Sequence, residues 1–131
     1  MTLRNIQPGR PIVVEVNAPV GPFAAVFEDD GDTGYFYGLD TRLADQPILD
    51  ALLVYEVVSN QDSNRSLRLD IVWSAGGERA ILFLNGRAHA AFDFDLRRAV
   101  CRTNFPATST WSVGGHAWDD DVVRGVDRLP N

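Results

Sequence analysis

Residues 79–95, Arg-Ala-Ile-Leu-Phe-Leu-Asn-Gly-Arg-Ala-His-Ala-Ala-Phe-Asp-Phe-Asp, are the stretch that decides the fold. At its centre Asn85-Gly86 is the strongest short signal for a β-hairpin, because a type I′ turn needs positive φ at both central residues. Apolar residues flank this turn on both sides. The stretch therefore predicts two antiparallel strands joined by a two-residue turn.

The turn also predicts a register. The expected pairs are Phe83 with Ala88, Ile81 with Ala90, and Arg79 with Phe92. One face of the hairpin then sets large residues opposite small ones, and we expect it to form the core: Ile81, Phe83, Ala88, Ala90, Phe92 and Phe94. The preceding strand alternates apolar and polar residues from Leu67 to Trp73. For Trp73 to share a face with Ile81, the loop between them must have an odd length, so we predict a three-residue loop, 75–77, with a left-handed glycine.

The rest of the chain has the rhythm of a β protein. Gly, Pro and Asn-Gly recur at short spacing between segments rich in Val, Ile, Phe and Tyr. Strands are predicted near residues 12–17, 23–28, 35–39, 52–59, 67–74, 79–84 and 87–95. Three aspartates, 119–121, suit the cap and first turn of one short C-terminal helix.

The predicted fold is mainly β, with α+β as the alternative. We expect a single antiparallel, strongly bent sheet or a partial barrel of about seven strands, with one short C-terminal helix; a sandwich also fits this pattern. No linker, repeat or low-complexity tract divides the chain, so residues 1–131 are expected to form a single domain.

Charge and hydropathy narrow the possible partners. The chain has 18 acidic and 12 basic residues, all of the latter arginine, for a net charge of −6. This balance disfavours binding to a nucleic acid backbone and suits a basic protein. The longest apolar run, 51–55, is far too short to span a membrane, and the N-terminus lacks the apolar region of a signal peptide. We expect a cytoplasmic protein without a membrane or nucleic acid partner.

Residues 28–34, Glu-Asp-Asp-Gly-Asp-Thr-Gly, concentrate acid between two predicted strands. Carboxylates suit calcium, but the EF-hand spacing fails: counted from Asp30, Tyr35 occupies the glycine position and Thr41 the twelfth. We expect a hairpin loop in which Asp and Gly provide turn geometry. A partner-binding loop using Asp29, Asp30 and Asp32 is the alternative.

Soft ligands and nucleophiles are few. Zinc sites usually take their ligands in pairs closely spaced in the sequence, and no two of Cys101, His89 and His116 form such a pair. We therefore expect no metal and no cofactor. Arginines at 97, 98 and 102 would favour a thiolate at Cys101, with His116 as base and an aspartate of 119–121 to orient it. No signature of a known thiol enzyme surrounds the cysteine. Cys101 and His116 are thus the only candidates for catalysis, and we expect no catalytic residue.

Several strings resemble a known family. They are Val-Phe-Glu-Asp-Asp-Gly-Asp-Thr-Gly-Tyr-Phe-Tyr (26–37), Phe-Asp-Phe (92–94), the segment from Arg97-Arg98 to Cys-Arg-Thr-Asn-Phe-Pro (101–106), and His-Ala-Trp-Asp-Asp (116–120). Together they resemble a small bacterial family catalogued as a domain of unknown function. The resemblance implies a single bacterial domain of this length, and it implies no activity or catalytic residue.

We therefore expect a non-enzymatic binding protein, such as an antagonist of another bacterial protein. Its acidic loop, arginines and tryptophan supply the candidate binding residues: Asp29, Asp30, Asp32, Arg97, Arg98 and Trp118. One alternative is a thiol-dependent enzyme using Cys101. Another is a β domain that binds a small ligand in a cavity between sheet faces or inside a partial barrel.

Overall fold

The computed structural model describes residues 3–57 and 66–126, which form nine strands and one short 3-10 helix. The strands β1 to β9 are Arg4–Ile6, Ile12–Asn17, Phe23–Asp29, Thr33–Asp40, Ile48–Glu56, Leu67–Trp73, Arg79–Leu84, Arg87–Asp93 and Arg98–Cys101. The mainly-β prediction is confirmed. All seven predicted strands are present, although the end of the predicted strand 52–59, at residues 58–59, lies outside the described residues. β1 and β9 were not predicted.

The strands form two antiparallel sheets that pack face to face. The five-stranded sheet has the order β1-β6-β7-β8-β9, and the four-stranded sheet has the order β2-β3-β4-β5. Buried residues from both sheets share one core, in which the rings of Phe36 and Phe92 are 5.4 Å apart. The architecture is a sandwich and not the single bent sheet that we favoured. The chain leaves the four-stranded sheet after β5, and β6 then pairs with β1, from which 60 residues of chain separate it. Consecutive strands β5 and β6 therefore belong to different sheets, which pack against each other.

The central hairpin has the predicted turn but a different register. Asn85 and Gly86 have φ of 49° and 84°, and Phe83 pairs with Ala88 as expected. A bulge then shifts the pairing by one residue, because His89 is an extra residue on β8. The other two predicted pairs are wrong: Leu82 pairs with Ala90, Ile81 with Ala91, and Arg79 with Asp93.

The bulge changes which side chains face the core. The layer between the sheets receives Ala80, Leu82, Leu84, Ala90, Phe92 and Phe94. Ile81, Phe83 and Ala91 lie on the outer face, where Val122 and Trp118 of the C-terminal segment cover them. The predicted core face therefore mixes two faces, because a one-residue shift exchanges inward and outward side chains. Both faces of β7 are buried.

The connection between β6 and β7 differs from its prediction for the same reason. Trp73 pairs with Ala80, and Ser74 N–H donates to Arg79 O, which leaves four residues, 75–78, in the loop. Trp73 and Ile81 lie on opposite faces, so the predicted odd-length loop is wrong. Since Ala80, not Ile81, faces the core, an even-length loop brings Trp73 to the correct side. The left-handed glycine is confirmed at Gly77, with φ of 77°.

Two glycines let aromatic rings cross β4 at close range. A β-carbon on Gly38 would lie 2.7 Å from two ring atoms of Phe92, and one on Gly34 would lie 2.8 Å from Tyr55 Cζ. Both distances are far below ordinary contact. Gly34 and Gly38 are required because the rings occupy the space of a side chain.

At the C-terminus the predicted helix is reduced to a 3-10 helix, Asp120–Val122. Asp119 caps it as expected, since its carboxylate accepts from Asp121 N–H at 2.9 Å. The segment stops at Gly125, which has φ of 81°. Its single turn serves to place Val122 and Trp118 on the five-stranded sheet.

Candidate functional site

The acidic turn between β3 and β4 begins with a buried carboxylate. Asp29 is 1% exposed and accepts hydrogen bonds from Gly9 N–H at 2.9 Å, Gly31 N–H at 2.8 Å and the Tyr55 hydroxyl at 2.6 Å. Burial, and then the hydrogen bond to Asp29, raise the pKa of Tyr55 above its usual value. Asp29 thus joins the turn to β5 and to the connection before β2. Its contacts are those of a structural residue.

The remaining acids of the turn serve its geometry. Asp30 Oδ1 accepts from the backbone N–H groups of Asp32 and Thr33, each at 2.9 Å. These two bonds lower the pKa of Asp30 because they stabilise its charged form. Asp32 is exposed. Within the part of the chain that the structure describes, histidine, cysteine and acidic side chains do not gather in threes that could hold a metal ion.

Arg97, Arg98 and Trp118 lie on the other sheet, so the structure does not unite them with the acidic turn. The Arg97 guanidinium lies 5.8 Å from the Trp111 ring centroid, and Arg98 pairs with Asp119 at 3.2 Å. Trp118 packs beside Val122, with Arg102 over its ring at 4.1 Å and its indole N–H on Asp120 at 2.8 Å. The contacts of Arg98 with Asp119 and of Arg102 with Trp118 tie the C-terminal segment to the sheet.

Cys101 and His116 are neighbours through their backbones: Cys101 N–H donates to His116 O at 2.9 Å. Their side chains face different partners. Cys101 is 1% exposed, and its Sγ contacts Thr103 Oγ1 at 3.3 Å. His116 is fully buried, and both of its ring nitrogens are engaged elsewhere. The structure therefore does not show a thiol–imidazole pair.

The His116 ring forms a polar cluster with β5. Nδ1 lies 2.6 Å from Pro106 O and Nε2 lies 2.7 Å from Asp50 Oδ2, which also accepts from the Ser109 hydroxyl at 2.6 Å. A carbonyl oxygen only accepts, so Nδ1 carries a hydrogen. Nε2 in turn lies against the Asp50 carboxylate. This pair joins the loop after β9 to the opposite sheet.

The outer face of the four-stranded sheet carries two tyrosines that the sequence analysis did not single out. Register places three rows of side chains across this face: Val13, Glu28, Tyr35 and Leu53; Glu15, Val26, Tyr37 and Ala51; Asn17, Ala24, Leu39 and Ile48. We call these residues the tyrosine face. Tyr35 and Tyr37 stack with ring centroids 6.0 Å apart. The alternation Tyr-Phe-Tyr at 35–37 indicates two outward-facing, partly exposed rings only once Phe36 is known to face inward.

Charge is divided between the two sheets. Strands β2 to β5 contain acidic residues and no arginine, whereas each strand of the other sheet contains one arginine. The pKa of Tyr37 is raised, first by burial and then by the carboxylates of Glu28 and Asp30. The tyrosine face therefore carries two carboxylates, Glu15 and Glu28, and no arginine.

The two outer faces of the sandwich also differ in cover. On the five-stranded sheet, Val122, Trp118, Val123 and Val126 pack over Ile81 and Phe83. On the tyrosine face, Val13 and Ile48 are 61% and 54% exposed. Neither of the buried apolar clusters of the described residues contains Tyr35, Tyr37 or Val26. The protein thus packs its C-terminal segment over one outer face, whereas on the other the edge-strand residues Val13 and Ile48 are exposed and Ala24 and Leu53 are buried.

A cavity of about 400 Å³ lies at one end of the sandwich, between the sheets. We call it the end cavity. Its lining comes from both sheets and from the connection before β2: Pro8, Val54, Tyr55, Glu56, Leu67, Leu84, Asn85, Arg87 and His89. A larger, open groove of about 750 Å³ follows the edge near Trp73. There Arg79 is already occupied by Asp93 at 3.0 Å and by Arg124 O at 2.7 Å.

Comparison with known proteins places the chain in a family without indicating a function. A 72-residue segment is 51% identical to an uncharacterized protein of Haemophilus influenzae; it covers 55% of this chain and 45% of that protein, so the match spans less than half of the relative's length. No solved structure matches the chain. No helix in the described ranges is long and apolar enough to cross a membrane. A family model matches residues 6–126, and the chain belongs to that family, DUF2251, described as an uncharacterized protein conserved in bacteria.

Proposed function

We propose that the protein is a non-enzymatic binding protein that docks a basic protein on its tyrosine face. The observation that carries this proposal is the unequal cover of the two outer sheet faces. The C-terminal segment covers the five-stranded sheet, while on the tyrosine face Val13 and Ile48 are 61% and 54% exposed and both tyrosines are partly exposed. An exposed apolar surface of this kind is typical of an interaction site.

The composition of the tyrosine face supports a protein partner. Tyrosine supplies a large contact area at low entropic cost and is enriched in interfaces. Around Tyr35 and Tyr37 the register places aliphatic side chains, with Val13 on the edge strand β2. The outer face of a sheet suits another folded surface better than a small molecule, since small molecules prefer concave pockets.

Charge selects a basic partner. Glu15 and Glu28 lie within the face, and the acidic turn at Asp30 and Asp32 lies at its end. With a net charge of −6, the protein would attract a positively charged surface and repel nucleic acids. In this proposal the partner is another bacterial protein, and the tyrosine face antagonises it by covering its basic surface.

Site-specific photocrosslinking in the native bacterium tests the proposal. A photoreactive residue replaces Val13 in one variant and Val113 in the control; these two valines are 61% and 62% exposed. We expect position 13 to give one discrete adduct with a different, basic protein, and position 113 to give none. The purified pair should then bind more weakly as salt rises.

Charge reversal completes the test. Glu15→Arg and Asp95→Arg change the net charge equally, but only Glu15 lies on the tyrosine face. We expect Glu15→Arg to abolish the adduct and Asp95→Arg to preserve it. An adduct of two copies of this chain, equal adducts from both positions, or no adduct from position 13 would each overturn the proposal.

A further inference from the structure

We propose that the end cavity is a binding site for a small carboxylate with an apolar body. This site is separate from the tyrosine face, since it opens between the sheets and not on an outer face. At about 400 Å³, its volume falls in the range of small-ligand pockets.

The inner part of the cavity is apolar. Val54, Leu67 and Leu84 belong to the core between the sheets, yet each retains 6–8% exposure at this end of the sandwich. Pro8 completes the apolar lining. An aliphatic or aromatic ligand body would remove this surface from water, which provides a driving force for binding.

The five-stranded sheet supplies positive charge and donors at the cavity. Arg87 and His89 both lie on β8, and His89 is the bulged residue whose carbonyl accepts from Arg102 N–H at 3.0 Å. The pKa of His89 is lowered, first by burial and then by the charges of Arg102 and Arg87. Two guanidinium groups therefore impose a positive potential on the imidazole. Arg87 lines the cavity, whereas the Arg102 guanidinium lies over the Trp118 ring outside the lining, so a ligand carboxylate beside Arg87 would offset that potential.

The opposite wall determines the orientation of the ligand. It carries Glu56 and Tyr55 of β5, and the Tyr55 hydroxyl is already donated to Asp29. Glu56 would repel an anion, so the carboxylate belongs on the β8 side with Arg87. The apolar body then extends toward Leu67 and Leu84. The cavity thus selects an anionic head group and an apolar tail.

Histidine NMR on the full chain tests this site. Straight-chain carboxylates from butanoate to decanoate serve as probes, with alkylamines of matching length as controls. We expect the carboxylates to shift the His89 ring resonances saturably, with affinity rising with chain length, and to raise the pKa of His89. His116, the other of the two histidines, is fully buried in its own cluster and provides an internal control that should not move.

Matched arginine variants define the head-group site. Arg87→Gln should weaken carboxylate binding by about tenfold, the loss expected for a charged hydrogen bond. Arg68→Gln, on β6 and outside the cavity lining, should not change the affinity. Equal binding of amines, equal loss in both variants, or no response of His89 at millimolar carboxylate would overturn the assignment. None of these outcomes bears on the tyrosine face.

Discussion

His116 Nε2 lies 2.7 Å from Asp50 Oδ2, although 66 residues separate them in the chain. The imidazole is fully buried, and its other nitrogen donates to Pro106 O. This relationship fixes the long loop after β9 onto β5 of the opposite sheet. His116, a candidate base in the sequence analysis, therefore has a structural role: it joins the loop after β9 to the opposite sheet.

Removal of this imidazole should destabilise the protein strongly. We expect His116→Ala to lower the free energy of unfolding by about 3–5 kcal/mol, because it empties a fully buried site, leaves Pro106 O without the imidazole donor and takes from the Asp50 carboxylate its partner on the opposite sheet. Urea denaturation measures the loss. Ser109→Ala, which removes one donor to the same carboxylate, should cost only about 1 kcal/mol. Equally small losses of unfolding free energy in the two variants would contradict a stabilising contact between His116 and Asp50.

The contact between Gly38 and Phe92 predicts a coupled pair. Gly38→Ala should destabilise the protein by about 1–3 kcal/mol, since the new methyl group would overlap the buried ring. Phe92→Leu in the same chain should relieve part of that cost. A double-mutant cycle measured by urea unfolding checks the coupling, and strict additivity of the two changes would refute it.

The hydrogen bond from Tyr55 to the buried Asp29 should contribute more to stability than the exposed side chain of Asp32. Tyr55→Phe removes one of the three donors to the buried Asp29 carboxylate, and we expect a loss of about 1.5–3 kcal/mol. Asp32→Asn, at an exposed site, should change stability by less than about 0.5 kcal/mol. Thermal or urea unfolding compares them. A larger effect at Asp32 than at Tyr55 would show that the turn is organised differently.

His89 should make stability depend on pH. Its pKa is lowered below the ordinary value of 6.5 in the folded protein, so the unfolded chain takes up the proton first as the pH falls. The stabilisation is therefore present above pH 6.5 and declines from there down to the folded pKa. Urea midpoints between about pH 7.5 and 5.5 measure the decline. His89→Gln should remove the part of the pH dependence that His89 contributes. A stability profile against pH equal to that of the unsubstituted protein would contradict the prediction.

Cys101 should react only when the protein opens. Its thiol is 1% exposed and lies under Thr103 and Phe105. We expect iodoacetamide to alkylate the native protein far more slowly than the urea-unfolded chain, and the rate to follow the fraction that opens. Rapid alkylation of the native protein would instead support the thiol-dependent enzyme as the function of this chain.

Local features of the chain were predictable. Asn85-Gly86 defines its turn because few residue pairs adopt positive φ, and the alternation from Leu67 to Trp73 identifies the inward face of β6 correctly. Asp119 was recognised as a cap because its side chain bonds within two residues of itself. Each of these outcomes depends on neighbours close in sequence.

The positions of the candidate sites were not predictable in the same way. The bulge at His89 exchanges the inward and outward side chains of half the hairpin, and both faces of β7 are buried by other parts of the chain. The tyrosine face exists only because β2 to β5 form a sheet of their own, on whose outer side the register gathers Tyr35 and Tyr37. No local pattern distinguishes an open face from a covered one.

The amino-acid sequence by itself determined the turns, most of the strands, the acidic charge and the absence of a recognisable catalytic motif. These follow from backbone preferences and side-chain chemistry within a few residues. Only the tertiary structure decided that the strands divide into two sheets, that His116 meets Asp50, and which faces remain open. Such contacts form between distant segments, where the burial of each face depends on what the rest of the chain brings against it.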